Sequence, residues 1–208
     1  MTRPADTPDA SPARAGAAPL GRYLVVISGP SGAGKTTICR TVADRLGLPI
    51  STSATTRPRR HGETDGQDYH FVTDEEFDRR IDEGRFVEWA EVFGHRYGTP
   101  VEEVERARDS GDLLLLEIDV QGGIQIKRAY PDALAVLVVA PDAEDLRRRL
   151  AGRGTESEEQ IQRRLQKAAA EVRMARESCC YDGEVVNDRL EPAVRRVIEW
   201  IKTRRNQL

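Results

Sequence analysis

Gly29-Pro30-Ser31-Gly32-Ala33-Gly34-Lys35-Thr36, continued by Thr37, is the stretch whose reading decides the fold. Two glycines five positions apart, then Lys and a hydroxyl residue, make the pattern of a phosphate-binding loop, or P-loop. On its N-terminal side, Tyr23-Leu24-Val25-Val26-Ile27 is apolar and β-branched, which predicts a buried parallel strand. On its C-terminal side, Ile38, Val42 and Leu46 recur at helical spacing, with Cys39 and Ala43 alongside, until Gly47 and Pro49 end the element. Strand, glycine loop and helix in that order give the pattern a mechanism. Glycine allows close backbone approach, and the loop N–H groups with the positive helix N-terminus surround a phosphate. Lys35 places a point charge on the outer phosphates, and the Thr36 hydroxyl is a ligand for Mg²⁺. A nucleoside triphosphate is expected here, held by Gly29 through Thr37.

Composition narrows the partners. The 208 residues suit one domain with inserted subdomains. With 32 basic and 35 acidic residues there is no global field favouring nucleic acid or an anionic membrane. No apolar run approaches a membrane span, and no secretory segment precedes the first strand. Cys39, Cys179 and Cys180 form no metal-ligand spacing with His61, His70 or His95. They read as reduced thiols, and the cytoplasm is the expected location. The basic residues are mostly Arg. Lysines stand only at 35, 127, 167 and 202, so Lys35 is one of few and falls where the motif requires it. A homo-oligomer is compatible with the chain.

Residues 1–20 carry Pro4, Pro8, Pro12 and Pro19 with almost no large apolar side chains, which predicts a disordered tail. From Gly21 the pattern predicts an α/β fold, a doubly wound parallel sheet with a P-loop. Leu113–Asp119 and Ala133–Val139 read as buried strands with a helix over Gln121–Ala129 between them. Asp74 reads as the cap of a helix over Glu75–Asp82, and Phe86–Ala90 and Arg96–Thr99 as short strands around a turn at Gly94. Pro100 opens a helix ending at Gly111. Two helices follow Pro141-Asp142, broken at Gly152-Arg153-Gly154-Thr155, the second reaching Ser178. Val185–Asp188 gives a last strand and Pro192 starts a closing helix. The expected organisation is a core of 21–50, 109–141 and 166–208, an insertion over 51–108 and a lid over 142–165.

Several further stretches stand in a recognisable order. They are Ser53-Ala54-Thr55-Thr56-Arg57-Pro58, Gly62-Glu63 with Gly66 and Asp68-Tyr69, Phe86-Val87-Glu88-Trp89-Ala90 and Tyr97-Gly98-Thr99-Pro100. Leu116–Gly122, Arg149-Leu150 with Gly152–Thr155, and Val186-Asn187-Asp188 complete the series. From about residue 22 onward the chain resembles a guanylate kinase. The resemblance implies ATP-dependent phosphorylation of GMP, and of dGMP, to the diphosphate with Mg²⁺. It implies GMP phosphate on Arg57, Arg60 and Tyr69, with Ser53 and Tyr97 nearby, and guanine against Glu88, Thr99 and Asp119. It implies the lid arginines Arg149, Arg153 and Arg164 on the ATP phosphates and Asn187 near adenine.

The residue chemistry can be read beside that resemblance. Planar guanidinium forks bind a phosphate dianion bidentately, and Arg57, Arg59 and Arg60, stiffened by Pro58, supply them. A carboxylate only accepts hydrogen bonds, so it complements the two adjacent donors of guanine and repels the ring nitrogen of adenine. Glu88 on a strand face could serve in this way, or simply meet solvent. Asp119 ends a buried strand, where open α/β sheets place ligand groups; it could contact the nucleoside or hold Mg²⁺ through water. Trp89 reads as core packing. Arg147 and Arg148 read as partners of Glu144, Glu158 and Glu159 on a charged helix surface. Two other functions compete: a P-loop kinase acting on a phosphorylated ribose, and a non-catalytic binding module of the same fold. The intact Lys35 and Thr36 disfavour the module, and the pair Glu88 and Asp119 disfavours the sugar kinase.

Overall fold

A segment as apolar as Leu24–Ile27 is stable only if both of its faces are covered. In the computed structural model, which describes residues 20–152 and 157–206, they are covered. In chain order the elements begin with β1 (Leu24–Ser28), α1 (Lys35–Leu46), β2 (Ala54–Thr55), β3 (His70–Phe71) and α2 (Asp74–Asp82). They continue with β4 (Phe86–Val92), β5 (His95–Pro100), α3 (Val101–Ser110), β6 (Leu114–Ile118), α4 (Val120–Ala129) and β7 (Leu134–Val139). The last are α5 (Ala143–Ala151), α6 (Glu158–Ser178), β8 (Gly183–Val186) and α7 (Leu190–Arg205).

Strands β6-β1-β7-β8 form a parallel sheet, with β1 paired from Leu24↔Leu114 to Ser28↔Ile118 on one side and from Val25↔Leu134 to Ser28↔Leu137 on the other. A bridge between Ile50 and Leu115 adds to the β6 edge. Alternation along the strands sorts the core into two layers. Val25, Ile27, Leu115, Val136 and Val138 face Ile38 and Val42 of α1 and Val194, Val197 and Ile201 of α7. Leu24, Val26, Leu114, Leu116 and Ala135 face Val104 and Ala107 of α3 and Ile126 of α4. This is the doubly wound core that the sequence predicts. Gly29, Asp119, Ala140 and Asn187 follow the four strand ends, the edge at which such sheets bind ligands.

A second sheet, β3-β2-β5-β4, comes from the segment between α1 and α3. Its main part is the antiparallel β4–β5 hairpin, in register from Val92↔His95 to Phe86↔Pro100 with an irregularity between Phe86 and Glu88. The two-residue turn Phe93-Gly94 takes φ of 53° and 77°. Beneath the sheet, Phe77 of α2 stacks on Phe86 with ring centroids 4.5 Å apart, and Trp89 meets Phe77 edge-on, in agreement with its reading as core.

Several details differ from expectation, among them the last strand, which spans Gly183–Val186 and not Val185–Asp188. Tyr23 ends a 3-10 turn over Leu20–Tyr23 instead of opening the strand. The cap of α2 is Thr73, whose hydroxyl accepts from the Glu76 N–H, and Asp74 is the first helical residue, where its charge suits the helix dipole. Arg147 pairs with Glu158, one of its expected partners, but across to the neighbouring α6 and not at i,i+4 spacing along one helix. Arg148 pairs with Asp145, three residues earlier. Of the tail expected to be disordered over 1–20, Leu20 instead opens the 3-10 turn and packs on the core, while residues 1–19, and Arg153 with its loop, lie outside the described residues.

Candidate functional site

The loop after β1 approaches β7 too closely for any side chain at its first position. A Cβ on Gly29, where φ is 149°, would collide with the Val138 carbonyl oxygen. Lys35 folds back along the loop, its Nζ donating to the Gly29 and Pro30 carbonyls at 2.6 and 3.0 Å. Asn187, just beyond β8, donates from Nδ2 to Ala33 O at 2.8 Å. Arg149 of α5 reaches Ala33 O and, at 2.6 Å, the Asn187 carbonyl, while Arg164 of α6 donates to Ser31 Oγ at 2.5 Å. Two arginines and Asn187 therefore converge on the P-loop from the side of α5, α6 and β8. Gly32 packs under Leu146 and Leu150, which seats α5 on the loop. Thr37 is exposed on α1, its carbonyl accepting from Thr41 Oγ1.

Thr36 Oγ1 donates to the carboxylate of Glu117. A hydroxyl and a carboxylate side by side are the hard oxygen donors that suit Mg²⁺, which commonly takes one or two protein ligands and completes its shell with phosphate and water. Among the described residues no group of three or more His, Cys, Asp or Glu could hold a metal without such help. Glu117 is a site residue that the sequence reading missed. Its signal is its place on β6 two residues before Asp119, hence on the same face of the strand.

Opposite the P-loop lies a strongly acidic end. Glu88 of β4 is buried, 3% exposed, and its Oε1 accepts from Thr99 Oγ1 at 2.6 Å. Burial pushes its carboxyl up to about 7, the Thr99 hydroxyl opposes that shift, and the Asp119 charge adds to it. Asp119 caps α4, with Oδ1 accepting from the Gly122 N–H at 2.8 Å. Its Oδ2 is buried with no hydrogen-bond partner among the described residues, and burial raises its carboxyl above the usual range. A buried carboxylate oxygen without a donor is costly unless a ligand supplies one. Behind Asp119, Ser28 Oγ donates to the Asp119 carbonyl at 2.7 Å and touches Tyr181 Oη at 3.0 Å, which ties the end of β1 to the end of β6.

Ser53, Arg60, Tyr69 and Tyr97 complete this end, with the two tyrosine rings edge-on at 5.8 Å. Arg57 is held elsewhere. It is buried, forms two hydrogen bonds to Glu63 at 2.7 and 3.0 Å, and stacks its guanidinium over Tyr69 and Phe71. The hydrogen bonds between them raise the Arg57 pKa and lower that of Glu63. Of the neighbouring arginines, Arg60 lines the cleft and Arg59 is exposed outside it.

One cleft, with a cavity volume of about 260 Å³, joins the two ends. Gly29, Ser31, Lys35 and Arg164 line one side, and Ser53, Arg60, Tyr69, Glu88, Tyr97 and Asp119 the other. Thr99 lies behind Glu88, while Arg149 and Asn187 brace the P-loop from outside. Arg57 lines an adjoining groove between the hairpin and α6. Among the lining residues that escaped the sequence reading besides Glu117 are Phe93 and Glu171. Glu171 sits four residues after Lys167 at 3.8 Å, a spacing that on paper resembles an ordinary surface pair.

Residues 21–204 match the family model described as guanylate kinase. A guanylate kinase of Rubrobacter xylanophilus is 51% identical over 180 residues, covering 86% of this chain and 93% of the relative. One of Syntrophotalea carbinolica is 51% identical over 172 residues, covering 82% of this chain and 80% of the relative. A crystal structure of guanylate kinase from Anaplasma phagocytophilum superimposes with a TM-score of 0.71 at 32% identity, over 87% of this chain and 85% of that one. Sequence, fold and the joined cleft agree, and the chain belongs to the guanylate kinase family.

Proposed function

We propose that this enzyme transfers the terminal phosphoryl group of ATP to GMP, and to dGMP, giving the nucleoside diphosphate. The observation that carries the reading is the single cleft with a P-loop lysine at one side and two buried carboxylates at the other. Base selection follows from hydrogen-bond chemistry. Ionised Glu88 and the unpartnered Asp119 Oδ2 accept from the adjacent donors of guanine, whereas adenine would leave both buried oxygens unpaired. Arg60, Tyr69, Tyr97 and Ser53 hold the GMP phosphate. Arg57 joins them by exchanging Glu63 for phosphate or braces the loop through that pair.

On the donor side, Lys35 turns from the loop carbonyls to the β- and γ-phosphates, and Arg164, Arg149 and Arg153 add charge where the transferring group is most anionic. Asn187 lies against adenine. Thr36, with Glu117 beside it, holds Mg²⁺, which when bound with ATP neutralises phosphate charge. No general base is needed, because the GMP phosphate is itself the nucleophile. In this reading residues 51–108 form the acceptor-binding insertion and residues 142–165 a lid, and the enzyme works in the cytoplasm. Neither a phosphorylated sugar nor a binding-only role accounts for base-reading carboxylates beside an intact P-loop. Coupled turnover with GMP, AMP, dTMP and UMP tests the proposal; GMP is expected to be strongly preferred, and preference for another base overturns it.

A further inference from the structure

Phe93 stands at the tip of the β4–β5 hairpin, 51% exposed, with φ at 53°. Two-residue hairpin loops of this kind need positive φ at both positions and favour Asn or Asp before Gly. A phenylalanine is a strained choice there, so the turn itself does not explain the ring. Its neighbours do. Lys167 Nζ lies 4.2 Å and Arg164 Cζ 5.4 Å from the ring centroid, both from one face of α6. Arg164 is the same residue that reaches Ser31 in the P-loop. The hairpin behind Phe93 carries Glu88, Tyr97 and Thr99. The ring lines both the main cleft and the groove beside it, where the hairpin faces Gln160, Arg163 and Arg164 of α6.

We propose that Phe93 is a positioning residue for phosphoryl transfer. Its ring clamps Arg164 and Lys167 to the acceptor hairpin, so that the strand pair gripping the acceptor also sets the place of the arginine that serves the donor phosphates. The inference rests on the role given above to Arg164. An arginine on a long flexible stem loses orientation when one of its anchors is removed, and rate falls steeply with small misplacements.

Glycine separates the two reasons for a residue at this position, because it suits the turn better than Phe and carries no ring. In the full-length protein, F93G is expected to lower kcat about tenfold, a loss within the range of a cation–π contact, with KM for GMP changed less than about twofold. Its unfolding midpoint should equal or exceed that of wild type. F93Y, which keeps the ring, should restore kcat. In the background of Arg164→Ala, F93G should add nothing, since the clamp would have no arginine to hold. The clamp is overturned if F93G keeps wild-type kcat, if F93Y loses as much as F93G, or if the two substitutions multiply. Failure of wild type to phosphorylate GMP would instead overturn the functional reading, independently of any variant.

Discussion

Glu88, proposed above to read the base, has a carboxyl lifted to about 7 by burial, and this sets a pH signature. An acid whose folded pKa exceeds its unfolded value takes up protons on folding, so its contribution to stability is full below the unfolded pKa and is lost as pH rises through the folded one. Here that window runs from the ordinary 4.5 to about 7. Guanine requires the ionised form, so ligand affinity moves in the opposite direction. KM for GMP is expected to fall about tenfold between pH 6 and pH 8, as the ionised fraction of Glu88 in the free enzyme rises. In Glu88→Gln that component should vanish, leaving only the titration of GMP phosphate, and KM should rise about 10- to 100-fold with loss of the preference for GMP over AMP. Initial-rate measurements across pH on both proteins check this. Identical profiles would remove Glu88 from base reading.

The helix α4 shows how an element can serve a neighbour's side chain. Ala normally stabilises a helix interior by about 1 kcal/mol relative to Gly, yet Gly122 lies in the first turn with no room for a Cβ, because the Glu88 carboxylate occupies that space. Gly122→Ala should therefore fold with little change in melting temperature but weaken GMP binding about tenfold by displacing Glu88. Titration calorimetry beside thermal unfolding distinguishes this from simple destabilisation, which would lower both. The neighbouring Gly123 is equally crowded, a Cβ there lying 2.5 Å from Tyr181 Oη. Elements were the most legible level of the sequence. Periodicity and glycine punctuation located the β1–P-loop–α1 unit, β6 and β7, because local pattern suffices for a strand buried on both faces. Side-chain partners were far less legible. Arg57 looked like a free phosphate fork, but Glu63 claims it across a turn; Glu171 drew no reading, because only the fold shows that α6 turns it into the cleft. Phe93 was invisible because its partners lie about 70 residues further along the chain, and no local pattern reports such a contact.

At the scale of the whole molecule, the two sheets share one cleft, and α6 touches both sides of it through Arg164 and Phe93. Ligands on the two sides should therefore stabilise each other. A ligand at 100 times its Kd adds about 2.7 kcal/mol to stability, which for a domain of this size raises the melting temperature by about 5–10 °C. GMP together with a non-hydrolysable ATP analogue and Mg²⁺ should raise it by more than the sum of the separate shifts. A strictly additive result would mean that the two sides act independently. Chelation of Mg²⁺ should diminish the shift from the ATP analogue and leave that from GMP in place.

The position of β1 bears on how the molecule comes into being during synthesis. It is the first strand among the described residues, yet its two hydrogen-bonded neighbours are β6, which starts at Leu114, and β7, which ends at Val139. Even the backbone of Gly29 is shaped against the carbonyl of Val138. No local segment substitutes for these partners, and pairing at such sequence separation is slow to form. A nascent chain thus carries its complete P-loop sequence long before the strands that flank β1 have been made. The loop is therefore expected to reach its final shape only when the chain beyond β7 has left the ribosome.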